Sequence, residues 1–157
     1  MIKDSGDRRE FETGAVRDMQ EGKGRCDLLP LDVIADYIAD PVLYWIDEFQ
    51  SHKDDVGNLW EAIDVFAYKV WGSSGDTGTK RLANALLEVA KHFEEGAKKY
   101  GENNWKKGLP VYCYIDSAVR HYLKWLRGDT DEPHDRAVVW NLLCCIWTVK
   151  HKEDNAK

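Results

Sequence analysis

The stretch KRLANALLEVAKHFEEGAKKY, residues 80–100, decides the fold. Leu82, Leu86, Val89, Phe93 and Ala97 recur at intervals of three and four, which puts their side chains on one face of an α-helix. Gly101 supplies a stop. Downstream, Pro110 can start a further helix, striped by Ile115, Ala118, Val119, Tyr122 and Leu126 and ended by Gly128. An acidic loop around Pro133 covers 129–135, and a last helix runs over about 135–149. Upstream, Leu31, Ile34, Ala35 and Ile38 have helical spacing until Asp40-Pro41 interrupts it. Val42, Leu43, Ile46 and Phe49 resume the pattern, and Trp60, Ile63, Ala67, Val70 and Trp71 form another stripe. No alternating run of useful length is present, so the sequence reads as an all-α helical bundle. Residues 1–30 are charged, poor in aliphatics and hold glycines at 6, 14, 22 and 24. They read as an N-terminal arm or loop ahead of a single helical domain over 31–157.

A chain of 157 residues, 43% hydrophobic and with seven Trp, is long enough to bury one sizeable core. Its formal net charge of −6 excludes broad binding to a nucleic-acid polymer, which relies on a positive surface. A small nucleotide is compatible with that charge, because a bound divalent ion reverses the local field. The four cysteines show no CxxC spacing, and free thiols in a reducing cytoplasm are the expectation. The start lacks the apolar stretch of a secretion signal, and the longest apolar run, 137–147, is shorter than the ~18 residues of a membrane span. The sequence therefore predicts a cytoplasmic protein without a membrane partner. Gly72-Ser-Ser-Gly-Asp-Thr-Gly-Thr79 superficially suggests a phosphate loop, but no glycine directly precedes Lys80 and no strand leads into it. It reads as a connector.

Three groups carry chemistry around the 101–110 turn: Lys98-Lys99-Tyr100, Asn104-Trp105 and Arg120-His121. Together they are suited to holding a phosphate, hydrogen-bonding a base and stacking on it. Each also has a plainer reading, namely a capped, anchored turn, an Asp116–Arg120 pair one helical turn apart, and a packed histidine. Asn141 is the polar exception in an apolar run and must find partners, because an unsatisfied amide costs about 1–3 kcal/mol. His134 and Thr148, seven residues to either side, share its helix face. Glu88, His92, Glu95 and Lys99 form a second stripe on the 80–100 helix, with two carboxylates spaced for Mg²⁺. At 100° per residue that stripe lies almost opposite Leu86 and Phe93, so it is expected to face water unless a second subunit covers it.

The chain also resembles a known family, the phage-type dATP/dGTP diphosphohydrolases, relatives of the MazG-like all-α nucleotide pyrophosphohydrolases. The resemblance begins with Glu12-Thr-Gly-Ala-Val-Arg-Asp-Met-Gln-Glu-Gly-Lys23 and Leu29-Pro30. It continues through Glu88-Val-Ala, Gly96-Ala-Lys-Lys-Tyr-Gly101, Asn104-Trp-Lys-Lys-Gly-Leu-Pro110, and Ala118-x-Arg-His121 with Trp125 and Gly128. His134 and Asn141 complete it. The blocks follow the family's order and leave 40–80 weakly matched. MazG-like proteins typically carry Glu-x-x-Glu and a later acidic pair. Here Lys91 stands three residues after Glu88, and the last helix offers His134, Asp135 and Asn141.

The resemblance implies an oligomeric α-helical enzyme, a dimer or tetramer encoded by a phage and acting in the host cytoplasm. It would use Mg²⁺ to cut a purine deoxynucleoside triphosphate into monophosphate and pyrophosphate. In this reading Glu88 and Glu95, with Asp131 or another acidic-loop residue, hold the metal, and Glu88, Glu95 and His121 form the catalytic set. Lys98, Lys99 and Arg120 contact phosphates, while Tyr100, Asn104 and Trp105 read or stack the base. His134 and Asn141 face the same site, and Arg17 and Lys23 close over the substrate. The rival reading is a non-catalytic phage protein that sequesters a nucleotide without cleaving it.

Overall fold

The computed structural model describes residues 5–155, with side chains to 152. Six helices make up most of it: α1 Leu31–Ile38, α2 Pro41–Ser51, α3 Gly57–Trp71, α4 Gly78–Tyr100, α5 Val111–Arg127 and α6 His134–Asn155. Local chemistry fixes their ends. Asp40 caps α2, its carboxylate accepting from Leu43 N at 3.0 Å with Pro41 behind it. Thr77 caps α4 through Lys80 N at 3.1 Å. Gly128 closes α5 at φ 89, a left-handed conformation that costs a glycine little.

Helices α5 and α6 pack along each other, with α3 and α4 against α6 and α1 and α2 completing the bundle. The run 137–147 is buried almost all round: Val138, Val139, Leu142, Cys144 and Cys145 are fully enclosed. On the other side of α5, Phe66, Tyr122 and Trp125 meet in edge-to-face and stacked contacts with ring centroids 5.0–5.9 Å apart. Cys26, Cys113, Cys144 and Cys145 are all free thiols, and burial pushes Cys144 and Cys145 up to about 12. No helix among the described residues is long and apolar enough to cross a membrane.

Two features differ from the sequence reading. The segment before α1 contains a hairpin, β1 Arg8–Glu10 paired antiparallel with β2 Val16–Asp18, with Arg9 opposite Arg17. Three-residue strands are too short for an alternating pattern to register. The hairpin is fastened to the bundle, since Ala15 is fully buried and Thr13 Oγ1 donates to Gly108 O at 2.7 Å. The second difference is the face that α4 buries. Ala85, Val89, His92 and Gly96 point inward, while Leu86 and Leu87 are 39% and 70% exposed. The buried face is rotated about 70° from the Leu/Phe stripe, at about 100° per residue. Small residues, which a hydrophobic count overlooks, let α4 lie close to Trp140 of α6.

Candidate functional site

The hairpin, α4, α5 and α6 enclose a cavity of about 750 Å³, within the about 300–1,000 Å³ common for small-molecule sites. Its cationic wall comprises Arg9, Arg17, Lys23, Arg120, Lys124 and Arg127, set against three carboxylates, Asp18, Asp116 and Glu132. Six positive charges less three negative leave an excess of three, in a chain whose formal net charge is −6. Helix α4 contributes His92, Gly96 and Tyr100, and α6 contributes Trp140 and Asn141.

Arg17 ties the hairpin to the site. Its guanidinium donates to Asn141 Oδ1 at 2.8 Å and Ser117 Oγ at 3.1 Å, and lies 4.8 Å from the Trp140 ring centroid. Asn141, 1% exposed, donates in turn to Ala137 O at 2.8 Å, so the buried amide has the partners its position demands. Asp116 accepts from Cys26 N and Arg120, both at 2.6 Å, and Arg120 also reaches Gly24 O at 2.7 Å. Lys23 pairs with Asp18 at 3.0 Å. Burial alone would raise the Asp18 carboxyl, but hydrogen bonds from Ser5 and Lys23 outweigh that and hold it below the usual carboxylate range.

A chain of rings closes one end. His121 Nδ1 lies 2.9 Å from His134 Nδ1, and His134 Nε2 lies 2.8 Å from Asp131 Oδ1. A carboxylate only accepts, so His134 carries its proton on Nε2 and receives one from His121 Nδ1. His121 is left with its lone pair on Nε2. Burial, with His134 beside it, holds His121 well below the ordinary histidine range, so it is neutral at pH 7. At the opposite wall His92, 4% exposed, is pushed down to about 4, chiefly by burial.

Four buried side-chain atoms among the described residues have no hydrogen-bond partner: Arg9 Nε, His92 Nδ1, Arg120 Nε and Trp140 Nε1. All four residues line this cavity. Each orphan costs about 1–3 kcal/mol, and a native fold tolerates few without reason. Their concentration around one cavity marks the place where a polar ligand completes the structure.

The structure brings part of the expected set together here: Arg17, Lys23, Tyr100, Arg120, His121 and Asn141 all line the cavity, with His134 directly behind His121. Asn104 is not turned toward a base. Its amide accepts from Val16 N and donates to Val16 O, both at 2.9 Å, so it holds the hairpin in place. Trp105 lies edge-on to Phe93 and Trp147 at 5.5 and 5.3 Å, beside a smaller hollow of about 240 Å³ that shares Gly96, Tyr100 and Trp140 with the main cavity. Lys98 is exposed, and Lys99 Nζ sits 5.4 Å from the Tyr100 ring centroid.

The expected metal trio is not assembled within this chain. Glu88 is taken by Arg136 at 2.9 Å and Lys91 at 3.0 Å, whose hydrogen bonds hold its carboxyl below the usual range. Among the described residues the side chains close enough to share an ion are His121–Glu132–His134 and Asp129–Asp131–His134, and neither group contains Glu88 or Glu95. The cause is the rotation of α4: it buries His92 and Gly96 and leaves Glu88 and Glu95 on a flank. Acidic and histidine groups able to bind a metal ion are nevertheless present. The sequence did not single out Trp140, Gly96 or Glu132 as site residues, although Gly96 opens one of the family-like blocks and Glu132 lies in the acidic loop. A glycine in the interior of an otherwise strong helix was the available signal for Gly96.

The fold and site define an all-α protein with a cation-lined, incompletely hydrogen-bonded cavity. The family described as dATP/dGTP diphosphohydrolase, N-terminal, matches residues 79–157, half of the chain, and the protein belongs to that family. None of the curated proteins or solved structures compared with the chain matches it.

Proposed function

We propose that this chain hydrolyses dATP and dGTP to the monophosphate and pyrophosphate, with the nucleotide seated in the 750 Å³ cavity. The observation that carries the reading is the coincidence of the four orphaned polar atoms with the six-cation wall. Three of the orphans, on Arg9, Arg120 and Trp140, are N–H donors, suited to phosphate oxygens or a base acceptor. The triphosphate would lie against Arg17, Lys23 and Arg120, and the purine toward His92, Gly96 and Trp140. A neutral His92 can present Nδ1 as either donor or acceptor, so one residue can meet an adenine amino group or a guanine carbonyl.

Phosphoryl transfer of this kind depends on positioning and on neutralising developing charge rather than on covalent chemistry from the protein. Arg17 is braced by Asn141 and Ser117, so its position needs little reorganisation when charge builds on the leaving pyrophosphate. His121 lines the cavity, and its Nε2 lone pair would accept a hydrogen bond from a water facing the α-phosphorus. A Mg²⁺ ion bound to the phosphates would supply Lewis-acid polarisation and charge neutralisation. It takes oxygen ligands and usually enters on one or two carboxylates, and Glu132 is the cavity residue that fits it. The homo-oligomer implied by the family resemblance is part of this reading, and size-exclusion chromatography with light scattering checks it.

A second reading, binding without cleavage, has one observation in its favour. Two of the cavity's three carboxylates, Asp18 and Asp116, are already engaged by Lys23 and Arg120. Incubating the purified chain with each deoxynucleoside triphosphate and Mg²⁺ separates the two. Pyrophosphate from dATP and dGTP supports hydrolysis, while tight calorimetric binding of unaltered nucleotide supports sequestration. Neither binding nor product would end both.

A further inference from the structure

The two imidazoles at the closed end of the cavity are arranged in a way that water positioning alone does not require. We infer that His121, Glu132 and His134 form a binding site for a divalent ion of the Mn²⁺, Co²⁺ or Zn²⁺ class, filled in the free protein before any nucleotide arrives. This goes beyond the nucleotide reading and stands without it.

The geometry is the first support. Each of the three residues offers a ligand atom, and these atoms lie within 4.8 Å of one another. The two ring nitrogens that face each other are 2.9 Å apart. Metal–nitrogen bonds of about 2.0–2.1 Å put two nitrogens on one ion about 2.9–3.4 Å apart, so the rings are already at ligand spacing. One proton now bridges the two nitrogens, and an ion would displace it and sit to one side of the line between them.

The second support lies behind the ring. His134 is 2% exposed, and its outer nitrogen donates to Asp131 at 2.8 Å. A carboxylate behind a histidine fixes the tautomer, directs the inner lone pair and raises its basicity, which is the usual support for a metal-bound imidazole. Asp131 therefore acts as a positioning residue. The chemistry of the donors sets the ion: two imidazoles and one carboxylate favour borderline transition metals, whereas Mg²⁺ prefers a shell of oxygens. The cluster opens to the cavity through His121 and Glu132, so an ion there keeps positions facing the phosphates. With the site filled, the water-orienting role described for His121 passes to those positions, and Glu132 serves this ion in place of the phosphate-bound Mg²⁺.

The test uses the full-length chain stripped of metal and contains no nucleotide. Titration with Co²⁺ is expected to bind one equivalent with the visible absorption of a nitrogen-ligated ion, to be displaced by Zn²⁺ and to be unaffected by millimolar Mg²⁺. Asp131→Asn should weaken Co²⁺ by about 10- to 100-fold and shift the absorption bands. Glu132→Gln should also weaken it, and His134→Asn should abolish the bands. Asp131 and Glu132 are partly exposed, so those two variants keep the test valid if His134→Asn does not fold. No Co²⁺ spectrum, equal competition by Mg²⁺, or unchanged affinity in the Asp131 and Glu132 variants would overturn the inference. Bands from a chain that, in the separate nucleotide assay, neither cleaves nor binds any deoxynucleoside triphosphate would sink the nucleotide reading alone.

Discussion

The two faces of α5 bury polar groups under opposite rules. Toward α2 and α3, Tyr122 donates to the buried Asp40 carboxylate, which also caps α2 and lies 3.9 Å from Lys69 Nζ. Among the described residues no buried side-chain nitrogen or oxygen on that side lacks a partner, and the Phe66–Trp125 cluster seals it. Toward the hairpin and α6, Arg120 on the same helix leaves Nε unpaired, as do Arg9, His92 and Trp140 across the cavity. A polar group that is fully partnered by the protein stabilises the fold. One left waiting lowers stability until a ligand arrives, and this contrast is what separates scaffold from site.

The strongest way to break the comparison is Asp40→Ala. It removes an N-cap and leaves the buried Tyr122 O–H without its acceptor, so chemical denaturation should show a loss of about 2–4 kcal/mol. Nucleotide affinity of the folded fraction should be unchanged. A large affinity loss would mean that the two faces are not independent.

Acid is the next largest lever. His92 sits at about 4 in the fold against 6.5 when free, so the unfolded chain binds the extra proton first. Its contribution is fully present above about 6.5 and is lost as pH falls toward 4, amounting to about 3 kcal/mol. His121, also held low, acts in the same direction. Unfolding free energies measured from pH 7 to pH 4.5 should fall for the native chain and fall less for His92→Phe. Parallel curves would refute the assignment.

Gly96→Ala sharpens the comparison because its two effects have opposite signs. An added Cβ would meet only Trp140, at 3.9 Å, an ordinary contact. The helix should gain up to about 1 kcal/mol, visible as a higher Tm, while a methyl group at the cavity wall weakens nucleotide binding. Higher Tm with unchanged affinity would move the base elsewhere. The smallest effect is expected for Glu88→Gln, which breaks a partly exposed pair with Arg136 and should barely shift Tm or turnover. Abolished turnover would return Glu88 to the catalytic set.

These outcomes also trace what the sequence made legible. The helix boundaries followed from caps and breakers, with Asp40-Pro41, Gly101, Pro110 and Gly128 all falling at helix ends. The need for a partner at Asn141 was readable from an amide in an apolar run. That the partner would be Arg17, 124 residues away, was not, because nothing local encodes a tertiary hydrogen bond. Helix α4 was read one notch out of rotation. Its large apolar residues pointed one way, and the small Ala85 and Gly96, which admit Trp140, pointed another. The rotation leaves Glu88 and Glu95 on a flank of α4, apart from the end of the cavity where His121, Glu132 and His134 gather.

A crystal structure with a non-hydrolysable dGTP analogue tests the central claim most directly. The account predicts phosphates on Arg17 and Arg120, the purine against His92 and Trp140, and new hydrogen bonds to the four atoms that now lack them. A nucleotide bound on another surface, with those four atoms still unpaired, would contradict it.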